Sequence, residues 1–259
     1  MSLKQQLPLL WELAKRDLWE RYSGSSLGAL WSIIYPLVTV FIYLIIFASI
    51  MGAKLPGSSN VYSYGIYLIA GVIPWTAFAS TVTRASTVYL DKRNIISKIP
   101  VDLNCFPLYI VMSESMIFAI TFAIFFGFLF VTGYSFTPLI MIIPCIFVIQ
   151  QLFAYALGSI LGILVVFVRD FKEAINVVFQ FWFWLTPIVY VAEILPEFAK
   201  PFMTMNPAYW FIGGYQQIMS YQAMPDFGML ALLLFVTAVL MVCKIKFMRM
   251  MERDIRDCI

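Results

Sequence analysis

The sequence predicts an all-α polytopic membrane protein with six transmembrane helices, an N-terminal amphipathic interface helix and short re-entrant external helices between spans five and six. Three observations carry that reading. Of 259 residues, 62% are hydrophobic and 12% charged, against about 45–50% and about 25% in an ordinary soluble domain. The apolar residues gather into six long runs, interrupted by one carboxylate, Glu114. Finally, the lysines and arginines cluster between alternate runs, as they do on the cytoplasmic side of membrane proteins. Six spans of about 20 residues use roughly 120 residues, which leaves loops and terminal helices but no second soluble domain. The chain 1–259 is therefore expected to be one transmembrane domain, with 1–29 as the interfacial helix, 30–248 as the six-span core and 249–259 as a cytoplasmic tail.

Within residues 1–29, Glu12, Lys15, Arg16, Asp17, Glu20 and Arg21 stand where a signal peptide needs a continuous apolar core, so no such leader is expected. Leu3, Leu7, Leu10, Ala14 and Leu18 recur at steps of four and three, beside Trp11, Trp19 and Tyr22. That pattern fits a helix lying in the membrane interface, with packing on a protein partner as the alternative. Pro8 is a candidate start for this helix. The apolar runs follow at 30–51, 64–82, 105–132, 138–168, 174–191 and 227–243. With both termini in the cytoplasm, fifteen of the seventeen basic residues face inward and only Lys54 and Lys200 face outward. Such a bias supports an even number of crossings. Residues 91–104 (DKRNIISKIPVDLN) form a charged inward connector whose amphipathic piece ends at Pro100. Residues 192–226 carry Pro196, Pro201, Pro207 and Pro225 yet remain apolar, which predicts short broken helices dipping back into the membrane.

The chemistry this chain can perform is limited. It has no histidine, so imidazole bases and imidazole metal ligands are excluded, and its four cysteines lack metal-site spacing, so no metal is expected. No glycine is followed by lysine, so there is no phosphate loop and no ATP site of that kind. Glu114 sits about 14 Å into its run at 1.5 Å per residue, level with Arg84. A buried pair between two helices is the favoured reading, with a proton relay as the other. Ala154, Gly158 and Gly162 form a ladder of small residues for close helix approach, within one chain or between two. Arg169 closes the fourth run. Asp170 and Glu173 have the spacing of a capping box for the fifth, with a partner contact as the alternative. Gln150 and Gln151 lie mid-span, where they either bond neighbouring helices or face a polar path. Phe179, Trp182, Phe183 and Tyr190 project to one face of the fifth run, and Tyr35 and Tyr43 lie near one line of the first. Such rings suit a loosely held, sliding sugar chain, although helix packing and interfacial belts account for most aromatics in membranes.

The stretch 15–36, KRDLWERYSGSSLGALWSIIYP, resembles the opening signature of the membrane subunits of polysaccharide ABC exporters. Further pieces agree in order: GVIPW at 71–75, KIP at 98–100, Ser113 with Glu114, VFVRDFKE at 166–173, FWLTPIVY from 183, then ILP and NP ending at Pro207. Among these exporters the likeness is greatest to those carrying O-antigen. The resemblance implies a half-transporter: a homodimer working with two copies of a separate nucleotide-binding ATPase subunit, which binds ATP and Mg. The expected cargo is a lipid-linked polysaccharide, moved from the cytoplasm across the bacterial inner membrane. This chain itself would carry no cofactor. Besides membrane lipids its partners are those subunits and the polymer, and no nucleic acid. It also implies a coupling role for the connector, here Asp91, Lys92, Arg93, Ile95, Ile96, Lys98 and Pro100, and a gate role for the Pro-rich external helices. Export of capsular polysaccharide or teichoic acid is the nearest alternative. A membrane enzyme acting on polyprenyl-linked sugars would need positioned acids or bases, and the spans offer only Glu114. An ion-coupled transporter would show two related halves with midplane charges, and neither is evident.

Overall fold

The computed structural model describes residues 3–21, 24–46, 55, 62–98, 102–192, 195–198 and 200–258. Its α-helices are α1 (Leu3–Arg21), α2 (Trp31–Leu44), α3 (Ser63–Asp91), α4 (Arg93–Ile96), α5 (Cys105–Val131), α6 (Ile143–Phe167), α7 (Phe171–Leu185), α8 (Lys200–Thr204), α9 (Pro207–Gln216) and α10 (Phe227–Cys258). No strand occurs among the described residues.

Helix α3 is the central post. Its apolar and small residues run around the whole circumference instead of forming one stripe, so Leu68, Ile69, Phe78, Val82, Ala85 and Tyr89 are all buried, on several faces. The tightest crossing is with α6. A methyl group added at Gly158 would lie 2.7 Å from Ala85 Cβ, and one at Gly162 would lie 2.9 Å from the Ala85 carbonyl oxygen. The small-residue ladder thus joins two helices of the same chain.

Among the described residues, four helical stretches are long and apolar enough to cross a membrane: α3, α5, Pro138–Phe167 (a 3-10 turn leading into α6) and α10. The first and fifth apolar runs are shorter as helices. Helices α2 and α7 have 14 and 15 residues, about 21 and 22 Å at 1.5 Å per residue against a hydrocarbon core of about 30 Å. The outer part of the first run lies largely outside the described residues. Helix α7 was expected to continue to Val191 but stops at Leu185, because Thr186 precedes Pro187 and takes an extended conformation (φ −102°, ψ 133°).

After that break the chain folds back on itself. Tyr67 donates to the carbonyls of Pro187 (3.2 Å) and Tyr190 (3.1 Å), Tyr64 to that of Val189, and Gln216 to that of Pro187 (3.0 Å). Backbone that α7 leaves unpaired is therefore satisfied by side chains of α3 and α9. Asn206 opens α9 by accepting from the Ala208 amide at 3.0 Å, and Phe211, Ile212 and Tyr215 are buried in the core. The apolar residues of α9 are thus accounted for by burial against α3, α6 and α10, whereas Phe198, Phe202 and Met205 of the same proline-rich segment stay exposed.

At the charged end of the bundle, Leu10, Val88, Tyr89, Ile96, Leu103, Phe106, Met248 and Ile255 form a second core cluster. Helix α1 begins at Leu3 and runs through Pro8. Its Leu10 and Ala14, placed in the interface by sequence reasoning, pack on protein, while Trp11 and Trp19 stay exposed.

Candidate functional site

Two features meet between α1, α2, α3 and α5. The first is a cluster of charges. Arg84 of α3 donates from Nη1 to Glu114 Oε1 at 2.6 Å and from Nη2 to Asp17 Oδ1 at 2.5 Å. Ser113 donates to Asp17 Oδ2 at 2.5 Å, and Arg21 donates to Glu114. Glu114 is only 3% exposed, which makes its two guanidinium partners a requirement. Two carboxylates against two guanidinium groups leave no net charge, so the cluster locks α1 to α3 and α5. Sequence reasoning reached Arg84 and Glu114 but missed Asp17, Arg21 and Ser113. The available signal was the i, i+4 spacing of Asp17 and Arg21, which puts both on one face of α1.

The second feature is a cavity of about 300 Å³ between α2, α3 and α5, with Arg21 and Glu114 among the residues lining it. Tyr35, Thr39 and Tyr43 line it from α2, Thr76 and Ser80 from α3, and Thr121 from α5. The hydroxyls of Thr39, Thr76 and Thr121 each donate at 2.8 Å to a carbonyl four residues earlier in their own helix. With their protons committed, these oxygens present lone pairs as acceptors. Tyr35 is 63% exposed, so its ring face is open.

The other residues proposed for a path lie elsewhere. Gln150 donates to the Pro74 carbonyl (2.9 Å) and accepts from Tyr215 (3.0 Å), and Gln151 accepts from Thr81 (3.1 Å). Both are buried between helices; the Gln150 amide is paired at both ends, whereas Gln151 Nε2 has no partner among the described residues. On α7, Phe179 is buried, with ring centroids 6.0 Å from Trp75 and 5.6 Å from Phe78. Trp182 and Phe183 lie 6.0 and 5.8 Å from Trp75. This aromatic face is the packing face of α7 on α3, and the surface α7 leaves open carries Val178, Phe181, Trp184 and Leu185. Tyr190 donates to the Trp184 carbonyl at 3.1 Å.

In the connector, Asp91 accepts from Thr87 at 2.8 Å, and Lys92 lies 3.8 Å from Glu20 and over the Tyr109 ring at 5.9 Å. Arg93, Ile95 and Lys98 are exposed, whereas Ile96 is 3% exposed and belongs to the second core cluster. Ile95 and Ile96 are neighbours, and a single helical turn cannot present both to the same side. Pro100 lies outside the described residues. Arg169, Asp170 and Glu173 are exposed. No capping box forms: Asp170 already has helical dihedrals (φ −64°, ψ −21°) and its side chain makes no cap bond, where a capping residue needs extended backbone to aim its oxygen at the free amides. Among the described residues no three metal-ligating side chains converge.

Comparison with known proteins agrees with this architecture. Residues 8–220 match the family model of the ABC-2 type transporter. An O-antigen export system permease protein RfbA from Klebsiella pneumoniae is 32% identical over 214 residues, 80% of each chain. A protein of the same name from Myxococcus xanthus is 27% identical over 246 residues, 93% of this chain and 91% of that one. A helical bundle with four full-length apolar helices, matched to one family over most of its length, is accounted for in one way: the chain belongs to the ABC-2 type transporter family of membrane permeases.

Proposed function

We propose that this chain is the transmembrane subunit of an ATP-driven exporter that carries lipid-linked O-antigen polysaccharide from the cytoplasm across the inner membrane. Two copies pair with two copies of a separate ATPase subunit, which binds ATP and Mg. Helices α2 and α7 complete six crossings, both termini are cytoplasmic, and the connector around Ile95 receives the ATPase. The names of the curated relatives favour O-antigen as cargo over capsular polysaccharide or teichoic acid.

The observation that carries the reading is the cavity beside α2. Ring faces of Tyr35 and Tyr43 suit the apolar faces of pyranoses, and three threonine oxygens with committed protons accept from sugar hydroxyls without holding any one sugar rigidly. Tyr35→Leu with Tyr43→Leu keeps apolar bulk and removes the rings. The double variant is expected to reach normal levels and to copurify with the ATPase subunit, yet to deliver several-fold less polymer to the cell surface and accumulate it inside. Normal delivery at normal levels would remove this cavity from the export route. Identifying the glycan that copurifies with the complex separates O-antigen from the other polymers.

A further inference from the structure

We propose that Lys244 is a positioning residue that ties the end of the 91–104 connector to α6 and α10, so that a displacement of the connector is carried into both helices. The inference rests on the connector being the ATPase contact.

Lys244 lies in α10, about 26 Å along the helix from Phe227 at 1.5 Å per residue. It is 3% exposed. Its ammonium donates to Asn104 Oδ1 and, at 2.8 Å, to the Tyr155 hydroxyl of α6, and it sits 4.4 Å from the centroid of the Tyr155 ring. Among the described residues no carboxylate lies within 4.0 Å of it. Burying an ammonium against neutral partners is costly, so each of these contacts is one the folded chain has strong reason to keep.

The connector end is built to meet it. Asp102 Oδ1 accepts from the Asn104 backbone amide at 2.9 Å and from Asn104 Nδ2 at 2.7 Å. With its nitrogen held by that carboxylate, the Asn104 amide turns its oxygen toward Lys244. The result is a relay from carboxylate through amide to ammonium, running from the connector into α10. Tyr155 closes the third side by donating to the Asn104 carbonyl at 3.4 Å. Asn104 directly precedes α5, and Cys105, the first residue of that helix, is buried beside it. Below this relay, Met248 and Ile255 of α10 pack in the same cluster as Ile96 and Leu103 of the connector.

The test begins with the chain itself, in detergent or nanodiscs, with Cys145, Cys243 and Cys258 replaced by Ser so that Cys105 is the only thiol. Lys244→Met keeps the stem and removes the charge. It should leave helicity and yield unchanged while Cys105 reacts with a maleimide about tenfold faster or more, because the connector end now opens locally. Asn104→Leu should give a similar gain, and the double variant should be no faster than either single one, as expected of residues that act through each other. Cys105 as slow in Lys244→Met as in the parent would overturn the positioning role. A lysine that merely fills space predicts that result.

The second arm measures polymer exported per ATP hydrolysed in the complex with the ATPase subunit, beside an Ile95→Asp control. Lys244→Met should lower the ratio several-fold with assembly intact. An unchanged ratio while Ile95→Asp lowers it would overturn the hand-over to α6 and α10. If Ile95→Asp assembles and exports normally, the ATPase-contact reading of the connector fails, and the thiol measurement still decides the role of Lys244.

Discussion

Glu114 shows how far a single residue can be read from sequence and where that reading stops. A lone carboxylate in an apolar run demands a counter-ion, and Arg84 stands at the matching depth of the preceding run, so that contact is legible. Its other partner, Arg21, comes from α1, and nothing in the spacing of residues says at what angle an interfacial helix meets the bundle. Removing one member of a buried ion cluster costs about 3–5 kcal/mol, because a charge is left uncompensated. Glu114→Leu and Arg84→Leu are each expected to lower the temperature at which detergent-solubilised protein loses its monodisperse peak, and the double variant should recover part of the loss. Full additivity of the two shifts would mean that the residues do not act as a pair. Ile95 and Ile96 separate in the same way. Ile95→Asp should leave protein levels normal and lower export, while Ile96→Asp puts a carboxylate into the second core cluster and should deplete the protein, as an immunoblot of membranes would show.

Among the elements, α7 is the clearest case of periodicity giving a face without its partner. Its aromatic stripe is evident at helical spacing, but whether a stripe meets a polymer or a neighbouring helix depends on tertiary packing, and here Trp75 and Phe78 of α3 take the rings. Phe179→Leu is therefore expected to lower export only in proportion to lost protein. Export reduced well beyond protein level would return the ring to the polymer route. The small-residue ladder of α6 was legible as a close contact, within one chain or between two, and the contact with Ala85 is the first of these. Gly162→Val should abolish accumulation, because the Ala85 carbonyl is backbone and cannot step aside, and Gly127→Val in α5, where an added methyl meets no other part of the described structure within 4 Å, serves as control. The break of α7 falls at Thr186 and Pro187, inside an apolar run that continues to Val191 and so reads as one unbroken span. Hydropathy does not distinguish a span from a folded-back segment buried in protein.

For the whole molecule, composition and the placement of basic residues made the membrane class legible, because they follow from solvent alone. Crossing number is harder, since it depends on α2 and α7, whose described helices are shorter than a bilayer core. In intact cells Cys258 should resist an impermeant thiol reagent and react once the membrane is opened; labelling from outside would overturn the cytoplasmic C terminus. The purified chain alone should show no ATP turnover, and turnover in a preparation free of any ATPase subunit would refute the division of labour. The central position of α3 also has a genetic consequence. This helix meets α1 through Arg84, α6 through Ala85, α7 through Trp75 and α9 through Gly71, where an added methyl would come within 2.8 Å of Gln216. A mild lesion on any of those helices can be offset by a shift of the one surface they share. Selection for restored export should therefore return second-site suppressors concentrated on α3, many of them correcting lesions on more than one neighbour, and fewer on α10, which packs on α6 and α9 and leaves Leu234, Phe235, Val242 and Met250 exposed among the described residues.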